Sequence, residues 1–207
     1  MNAQTRRSLI EGPAGAIEVA IDAAQGLRRG VAVISHPHPL FGGSLDNKVV
    51  QTLARAFSQC GWDSVRYNFR GVGASQGVYD EGRGELLDLL ALIEQLQPEG
   101  ALALAGFSFG AFVTSLALAP LLERRPIDKL VLVGTAASRF AVATIPPASH
   151  ERTLVIHGEA DDTVPLSAVM DWARPQSLPV MVLPGTGHFF HGQLPLLKSL
   201  VVRHLSA

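Results

Sequence analysis

Short apolar runs alternate with longer amphipathic segments along almost the whole chain. The run Val31–Ile34 is apolar at every position, so a strand built from it has no polar face to turn toward water. Strands of this kind are typical of parallel sheets covered by helices on both faces. We therefore predict an α/β fold with a mostly parallel, doubly wound sheet. The other predicted strands are Asp63–Phe69, Ala101–Ala105, Lys129–Val133, Arg152–Ile156 and Leu178–Leu183.

The segments between these strands have helical spacing of apolar residues. Asp46 or Ser44 is expected to cap the first helix, and Pro98 to end the second. The segment Ala16–Ile21 is expected to add an antiparallel edge strand. Since no linker separates two cores, residues 1–207 are predicted to form one domain. The predicted helices are Leu45–Gln59, Gly84–Gln97, Phe109–Leu122, Pro165–Ala173 and Gln193–Leu205.

Composition excludes several classes of protein. Hydrophobic residues make up 47 % of the 207 residues and charged residues 17 %, with a net charge of −1. This balance excludes a disordered chain, and the absence of a basic cluster argues against nucleic-acid binding. No apolar stretch is long enough to cross a membrane, and no signal-peptide core is expected. With Cys60 as the lone cysteine, a cytoplasmic protein is expected, and the low charge density is compatible with a homodimer.

A candidate nucleophile directly follows the predicted strand Ala101–Ala105. The sequence Gly106-Phe-Ser-Phe-Gly110 stands between this strand and a helix. Glycines two residues before and after a serine permit a sharp, closely packed turn, which exposes the serine at a helix N-terminus. The competing interpretation is a glycine-rich turn with a capping serine. The strand–turn–helix context favours Ser108 as the nucleophile.

A serine nucleophile needs a base, and the base needs an orienting carboxylate. Three carboxylates follow the strand Arg152–Ile156, namely Glu159, Asp161 and Asp162. Asp161 is preferred, although spacing alone does not separate the three. His188, in a glycine-rich loop after the last strand, is the preferred base, and His191 is the alternative.

The motifs together resemble the α/β-hydrolase superfamily over nearly the whole chain. Besides Gly106–Gly110, the segment Arg70–Gly77 is similar to the family's Arg-Gly-x-Gly-x-Ser-x-Gly loop. His157–Pro165 is similar to its acid-bearing loop, and Gly187–Phe189 to its histidine loop. The resemblance implies a serine hydrolase with the triad order serine, aspartate, histidine. It also implies Asp161 as the acid.

The resemblance further implies an oxyanion hole made of two backbone amides. One is the N–H of Phe109, and the other comes from the loop His36–Gly43, which is similar to a His-Pro-His-Pro-x-x-Gly-Gly loop of small bacterial hydrolases. The two prolines of this loop have no N–H and are excluded. Leu40 is the expected second donor, with His38 and Phe41 as alternatives.

The family often inserts a lid between the strands that correspond to Lys129–Val133 and Arg152–Ile156. Only Gly134–Glu151 separates them here, so no cap domain is predicted and the site is expected to be open. The expected pocket residues are His38, Phe41, Phe107 and Phe189.

The expected function is hydrolysis of small carboxylic esters through an acyl-enzyme on Ser108, without a cofactor or a metal. A thioesterase and a small-peptide or amide hydrolase would use the same residues. A peptidase acting on free N-termini would need a pocket carboxylate, for which Asp80 and Glu81 are candidates. A non-catalytic binding protein of the same fold is a further alternative.

Two other chemistries are weaker hypotheses. The glycines of Gly71–Gly77 could suggest a nucleotide site, but their spacing differs from the dinucleotide fingerprint, and the next helix begins too far away. His36 and His38 could chelate a metal, but prolines follow both and no further ligand pair has suitable spacing.

Overall fold

The computed structural model describes residues 5–97 and 99–207, in which eight strands form one sheet in the order β1-β2-β4-β3-β5-β6-β7-β8. The strands are β1 (Arg6–Gly12), β2 (Gly15–Asp22), β3 (Gly30–Ser35), β4 (Trp62–Tyr67), β5 (Ala101–Phe107), β6 (Lys129–Val133), β7 (Thr153–Gly158) and β8 (Val180–Leu183). The helices are α1 (Lys48–Gln59), α2 (Arg83–Leu96), α3 (Phe109–Leu122), α4 (Leu166–Ala173) and α5 (Leu194–Ser206).

In sheet order, the strands from β4 to β8 are parallel to one another, whereas β2 is antiparallel to both of its neighbours, β1 and β4. Its two faces are buried in separate apolar layers. One layer includes residues of α2, α3 and α4, and the other includes residues of α1 and α5. The predicted α/β fold with a doubly wound, mostly parallel sheet is therefore confirmed.

The N-terminal part of the sheet and the first helix differ in detail from the sequence-based prediction. The segment Ala16–Ile21 is the second strand from the edge, because the exposed strand β1 pairs with it. Asn47 caps α1 instead of Asp46 or Ser44, since its Oδ1 accepts hydrogen bonds from the N–H groups of Val49 and Val50. Pro98, expected to end the second helix, lies outside the described residues.

The connection between β6 and β7 is short. Residues 134–152 form a loop and one 3-10 helix, Pro147–Arg152. The prediction that the chain has no cap domain is thus confirmed, and the carboxyl ends of the parallel strands are left open on this side. In the part of the chain that the structure describes, no helix combines the length and apolarity needed to cross a membrane.

His36 fixes the start of the loop after β3. Its side chain is fully buried, its Nδ1 lies 2.6 Å from the carbonyl oxygen of Pro37, and its Nε2 accepts a hydrogen bond from the Phe69 N–H at 2.9 Å. The ring is therefore neutral, with the proton on Nδ1. Burial lowers its pKa to about 4, although the hydrogen bond to Pro37 opposes this shift.

This buried histidine makes stability depend on pH. In the unfolded chain its pKa is about 6.5, so the unfolded state binds the proton first and the folded state loses stability as pH falls from 6.5 to about 4. We expect the loss from this group to be about 3 kcal/mol. Urea unfolding across this pH range should show a flatter profile for His36→Gln than for the unmodified protein. Parallel profiles of the two proteins would contradict the prediction.

Candidate active site

Ser108 lies at the sharp turn between β5 and α3. Its backbone has φ 57° and ψ −117°, a conformation that is strained for a residue with a side chain. A Cβ on Gly106 would lie 2.4 Å from the Gly110 carbonyl oxygen, and one on Gly110 would lie 2.4 Å from that of Ser35. Only glycine fits at both positions. The spacing Gly-x-Ser-x-Gly is therefore required by the packing of this turn.

The three polar side chains predicted to act together form one hydrogen-bonded chain. The Nε2 of His188 lies 3.0 Å from Ser108 Oγ, and its Nδ1 lies 2.6 Å from Asp161 Oδ2. Because an ionised carboxylate only accepts, Nδ1 carries the proton and Nε2 accepts from the serine hydroxyl. All three residues are buried, with at most 7 % of each exposed.

Asp161 is fixed by groups other than His188. Its Oδ1 accepts the N–H of Thr163 at 3.0 Å and that of Val164 at 2.7 Å. Burial by itself would raise the pKa of Asp161, but the hydrogen bonds from His188 and the Val164 N–H outweigh it and lower the pKa. The carboxylate is thus held ionised, with one oxygen on the backbone and the other on the histidine.

A second buried histidine lies against the same carboxylate. The Nε2 of His157 is 2.9 Å from the Val164 carbonyl oxygen and 3.4 Å from Asp161 Oδ2. Its Nδ1 is buried and has no hydrogen-bond partner among the described residues. Burial lowers the pKa of His157, so a neutral ring directs its Nε2–H toward the loop that carries the acid.

The alternative acids and base lie elsewhere. The carboxylate of Glu159 accepts the N–H of Gly185, and that of Asp162 is exposed and accepts the Thr163 hydroxyl. His191 is exposed. None of these three side chains joins the hydrogen-bonded chain of Ser108.

A cavity of about 290 Å³ opens at the serine. Its lining is mostly apolar, and it includes the expected residues His38, Phe41 and Phe189. Phe107 corrects an expectation, because it is fully buried and packs against the His188 ring at 5.0 Å instead of lining the cavity. A cavity of this size fits a small organic molecule.

The backbone amides near the serine differ in what they already bind. Phe109 begins α3, and amides in the first turn of a helix have no partner within the helix. In the loop after β3, the N–H of Leu40 donates to His38 Nδ1 and that of Phe41 to the His38 carbonyl oxygen. The expectation for Leu40 as a donor is not met, since its amide is occupied and the residue does not line the cavity. The His38 N–H has no acceptor among residues 5–97 and 99–207.

On the side of the loop after β6, the cavity is lined by Ala136, Arg139 and Phe140, none of which was singled out individually as a pocket residue. A signal was present, because Arg139 is the only charged residue between Lys129 and Glu151. A lone cation in an apolar loop next to an active site merits attention as a ligand-binding group.

The metal and nucleotide hypotheses find no support in the geometry. Both ring nitrogens of His36 are used in hydrogen bonds inside the protein, and in the described part of the chain no cluster of metal-binding side chains is found. In the glycine-rich loop after β4, the Ala74 N–H donates to Glu18 and the Gln76 N–H to the Ala16 carbonyl oxygen. This loop therefore attaches β4 to β2.

The chain matches known proteins over most of its length. A family model described as "Serine aminopeptidase, S33" matches residues 29–150. An α/β serine hydrolase without a lid from Xanthomonas campestris is 34 % identical, with a TM-score of 0.88 over 100 % of this chain and 95 % of that chain. An α/β serine hydrolase homologue from Coxiella burnetii is 38 % identical, with a TM-score of 0.83 over 97 % of each chain.

A curated relative, the Rickettsia prowazekii "Uncharacterized protein RP471", is 40 % identical over 119 residues. The match covers 56 % of this chain and 48 % of the relative, so the chain spans about half the length of the curated relative it matches. The family model, in contrast, covers more than half of the chain, and both solved structures match it nearly end to end. The chain therefore belongs to this family and is an α/β serine hydrolase without a lid.

Proposed function

We propose that the protein hydrolyses small carboxylic esters through an acyl-enzyme on Ser108. The observation that carries the proposal is the hydrogen-bonded chain from Asp161 through His188 to Ser108, which ends at the cavity. A serine, a neutral imidazole and an ionised carboxylate in this order are the groups that acyl transfer requires.

In the first half of the reaction, Ser108 Oγ attacks the carbonyl carbon of the ester while its proton passes to His188 Nε2. The imidazolium that forms is stabilised by Asp161, which accepts a hydrogen bond from the Nδ1–H group and stays ionised. The tetrahedral intermediate then collapses, the bond to the alcohol oxygen breaks, and His188 returns the proton to the leaving alcohol.

In the second half, water takes the place of the alcohol. His188 removes a proton from the water and the oxygen attacks the acyl carbon. When the tetrahedral intermediate collapses, the bond to Ser108 Oγ breaks, His188 returns the proton to Oγ, and the acid is released. We propose that the N–H groups of Phe109 and His38 stabilise the oxyanion in both halves. Phe109 lies at the start of α3, where the helix dipole also favours negative charge.

The shape of the cavity supports small substrates. Its volume of about 290 Å³ lies at the lower end for ligand sites, and aromatic rings form much of its wall. Without a lid, the site has no additional apolar cover for a long acyl chain. We infer that short acyl groups bind in the cavity and that the alcohol leaves toward the open side.

A comparison of three leaving groups tests the proposal. We expect the acetyl p-nitrophenyl ester to be cleaved with a kcat/KM at least about 10²-fold above that for an aminoacyl anilide, a barrier difference of about 3 kcal/mol. A butyryl thioester provides the third arm. A thioester or anilide that exceeds the ester would overturn the ester assignment, and lack of turnover in every arm would favour a non-catalytic binding protein.

A further inference from the structure

The cavity at Ser108 has an uneven distribution of charge. Among the described residues that line it, Arg139 is the one with a full charge at neutral pH, and none is Asp or Glu. The polar remainder consists of groups such as Asn47 and Thr163, which carry no charge. A bound molecule therefore meets a single positive charge and no negative one.

The side chain of Arg139 has no partner among the described residues. Within residues 5–97 and 99–207, its guanidinium has neither a hydrogen-bond partner nor a carboxylate at ion-pair distance. Arg70, in contrast, is held by two hydrogen bonds to Asp88. A guanidinium without a partner at the wall of a ligand cavity is free to bind a carboxylate in the bidentate geometry that arginine favours.

The backbone holds Arg139 at this position. The N–H groups of Arg139 and Phe140 both donate to the Ala136 carbonyl oxygen at 3.1 Å. The Phe140 ring stacks on Phe112 of α3, with centroids 4.8 Å apart and planes at 15°. The turn that carries the arginine is thus attached to the same helix whose first residue follows the serine.

The charge of Arg139 acts on His38, another residue that lines the cavity. Burial and, to a smaller extent, the positive charge of Arg139 lower the pKa of His38, so its imidazole is neutral. His38 therefore adds no second charge, and an incoming anion would have Arg139 as its counter-ion.

The carboxylates that a peptide amine would need lie outside the cavity lining. Asp80 forms an ion pair with Arg83 at 2.9 Å, and the Glu81 side chain is 70 % exposed. Asp161 uses its oxygens on His188 and on two backbone amides. An ammonium group bound here would meet Arg139 without compensation.

We propose that the preferred substrates are esters whose acyl group ends in a carboxylate, and that Arg139 binds this carboxylate. The inference rests on the proposed ester hydrolysis. The inference also predicts that substrates with a free N-terminal amine, which the name of the family suggests, are poor substrates of this protein.

The test uses p-nitrophenyl esters of equal acyl length that differ in terminal charge. The hemisuccinate is anionic, the butyrate is neutral and the trimethylammonio-butyrate is cationic. We expect Arg139→Ala to lower the ratio of kcat/KM for the hemisuccinate over the butyrate by about five- to tenfold. Arg139→Lys, which keeps the charge but not the bidentate geometry, should retain only part of the ratio, and Arg139→Glu should shift the preference toward the cationic ester. Added salt should weaken the preference of the unmodified protein.

Arg124→Ala is the matched control. It also removes an exposed arginine, but this residue lies past the C-terminal end of α3, about 20 Å from the start of the helix at the cavity. The ratio should stay within about twofold of that of the unmodified protein. If esters are cleaved but Arg139→Ala and Arg139→Glu leave the ratio unchanged, the inference is overturned while ester hydrolysis stands. If no ester is cleaved by the unmodified protein, the proposed function itself fails.

Discussion

Replacing Ser108 with alanine is expected to lower kcat/KM for p-nitrophenyl acetate by at least about 10⁴-fold. In the proposed mechanism the hydroxyl oxygen forms the acyl bond, and among the described residues its one hydrogen-bond partner is His188 Nε2. Without it, His188 has no nucleophile other than water to activate. The residual rate would reflect binding and the two proposed oxyanion donors alone.

The fold should tolerate this change, because alanine keeps the Cβ and the hydrogen bond of the lost oxygen goes to His188 at the cavity. Circular dichroism and Tm should be close to those of the unmodified protein. A serine-directed phosphonate should label the unmodified protein at Ser108 and leave Ser108→Ala unlabelled. Ser206→Ala, which removes an exposed hydroxyl at the end of α5, is the control for a serine-to-alanine change outside the site. Activity of Ser108→Ala within tenfold of the unmodified protein would exclude the acyl-enzyme mechanism.

The parallel part of the sheet could be predicted from the sequence, because its central strands are buried on both faces. The strands β3, β5 and β6 lie between two apolar layers, so their residues are apolar without alternation and are easily recognised. Strand β1 was missed because most of its side chains are exposed, which leaves no apolar pattern. Its position is determined by pairing with β2, a contact that no local sequence signal reports.

The sequence locates only those residues of the candidate site that directly follow a strand. Ser108, Asp161 and His188 follow β5, β7 and β8, so the topology brings them to one edge of the sheet. The backbone amide of the loop after β3 that remains without an acceptor among the described residues could not be identified in this way. The turn after β3 occupies the amides of Leu40 and Phe41 with groups of His38, and these hydrogen bonds depend on the folded loop.

Arg139 shows a further limit. Its isolation in an apolar loop is visible in the sequence, but the direction it faces depends on the stacking of Phe140 on α3. The charge at a site can therefore be suspected from sequence spacing, whereas the conclusion that it has no partner requires the surrounding side chains.

The acid of the site can be tested with two neighbouring carboxylates. Asp161→Asn is expected to lower kcat for p-nitrophenyl acetate by about 10⁴-fold. The Asn oxygen would keep the two N–H groups of Thr163 and Val164, which leaves the amide NH₂ facing His188 Nδ1. An NH₂ group donates to Nδ1 and therefore favours the tautomer with the proton on Nε2, which cannot accept the proton of Ser108.

Asp162→Asn is the matched control, because it makes the same chemical change one residue away. The Asp162 carboxylate is exposed and accepts only the Thr163 hydroxyl among the described groups, so its neutralisation should change kcat by less than about threefold. Both variants should keep the Tm close to that of the unmodified protein, since the backbone amides of the loop keep an oxygen acceptor in each. If kcat falls equally in the two variants, Asp161 is not the specific carboxylate that sets the tautomer of His188. A large loss confined to Asp161→Asn, with phosphonate labelling of Ser108 slowed to a similar extent, would place the effect on activation of the nucleophile.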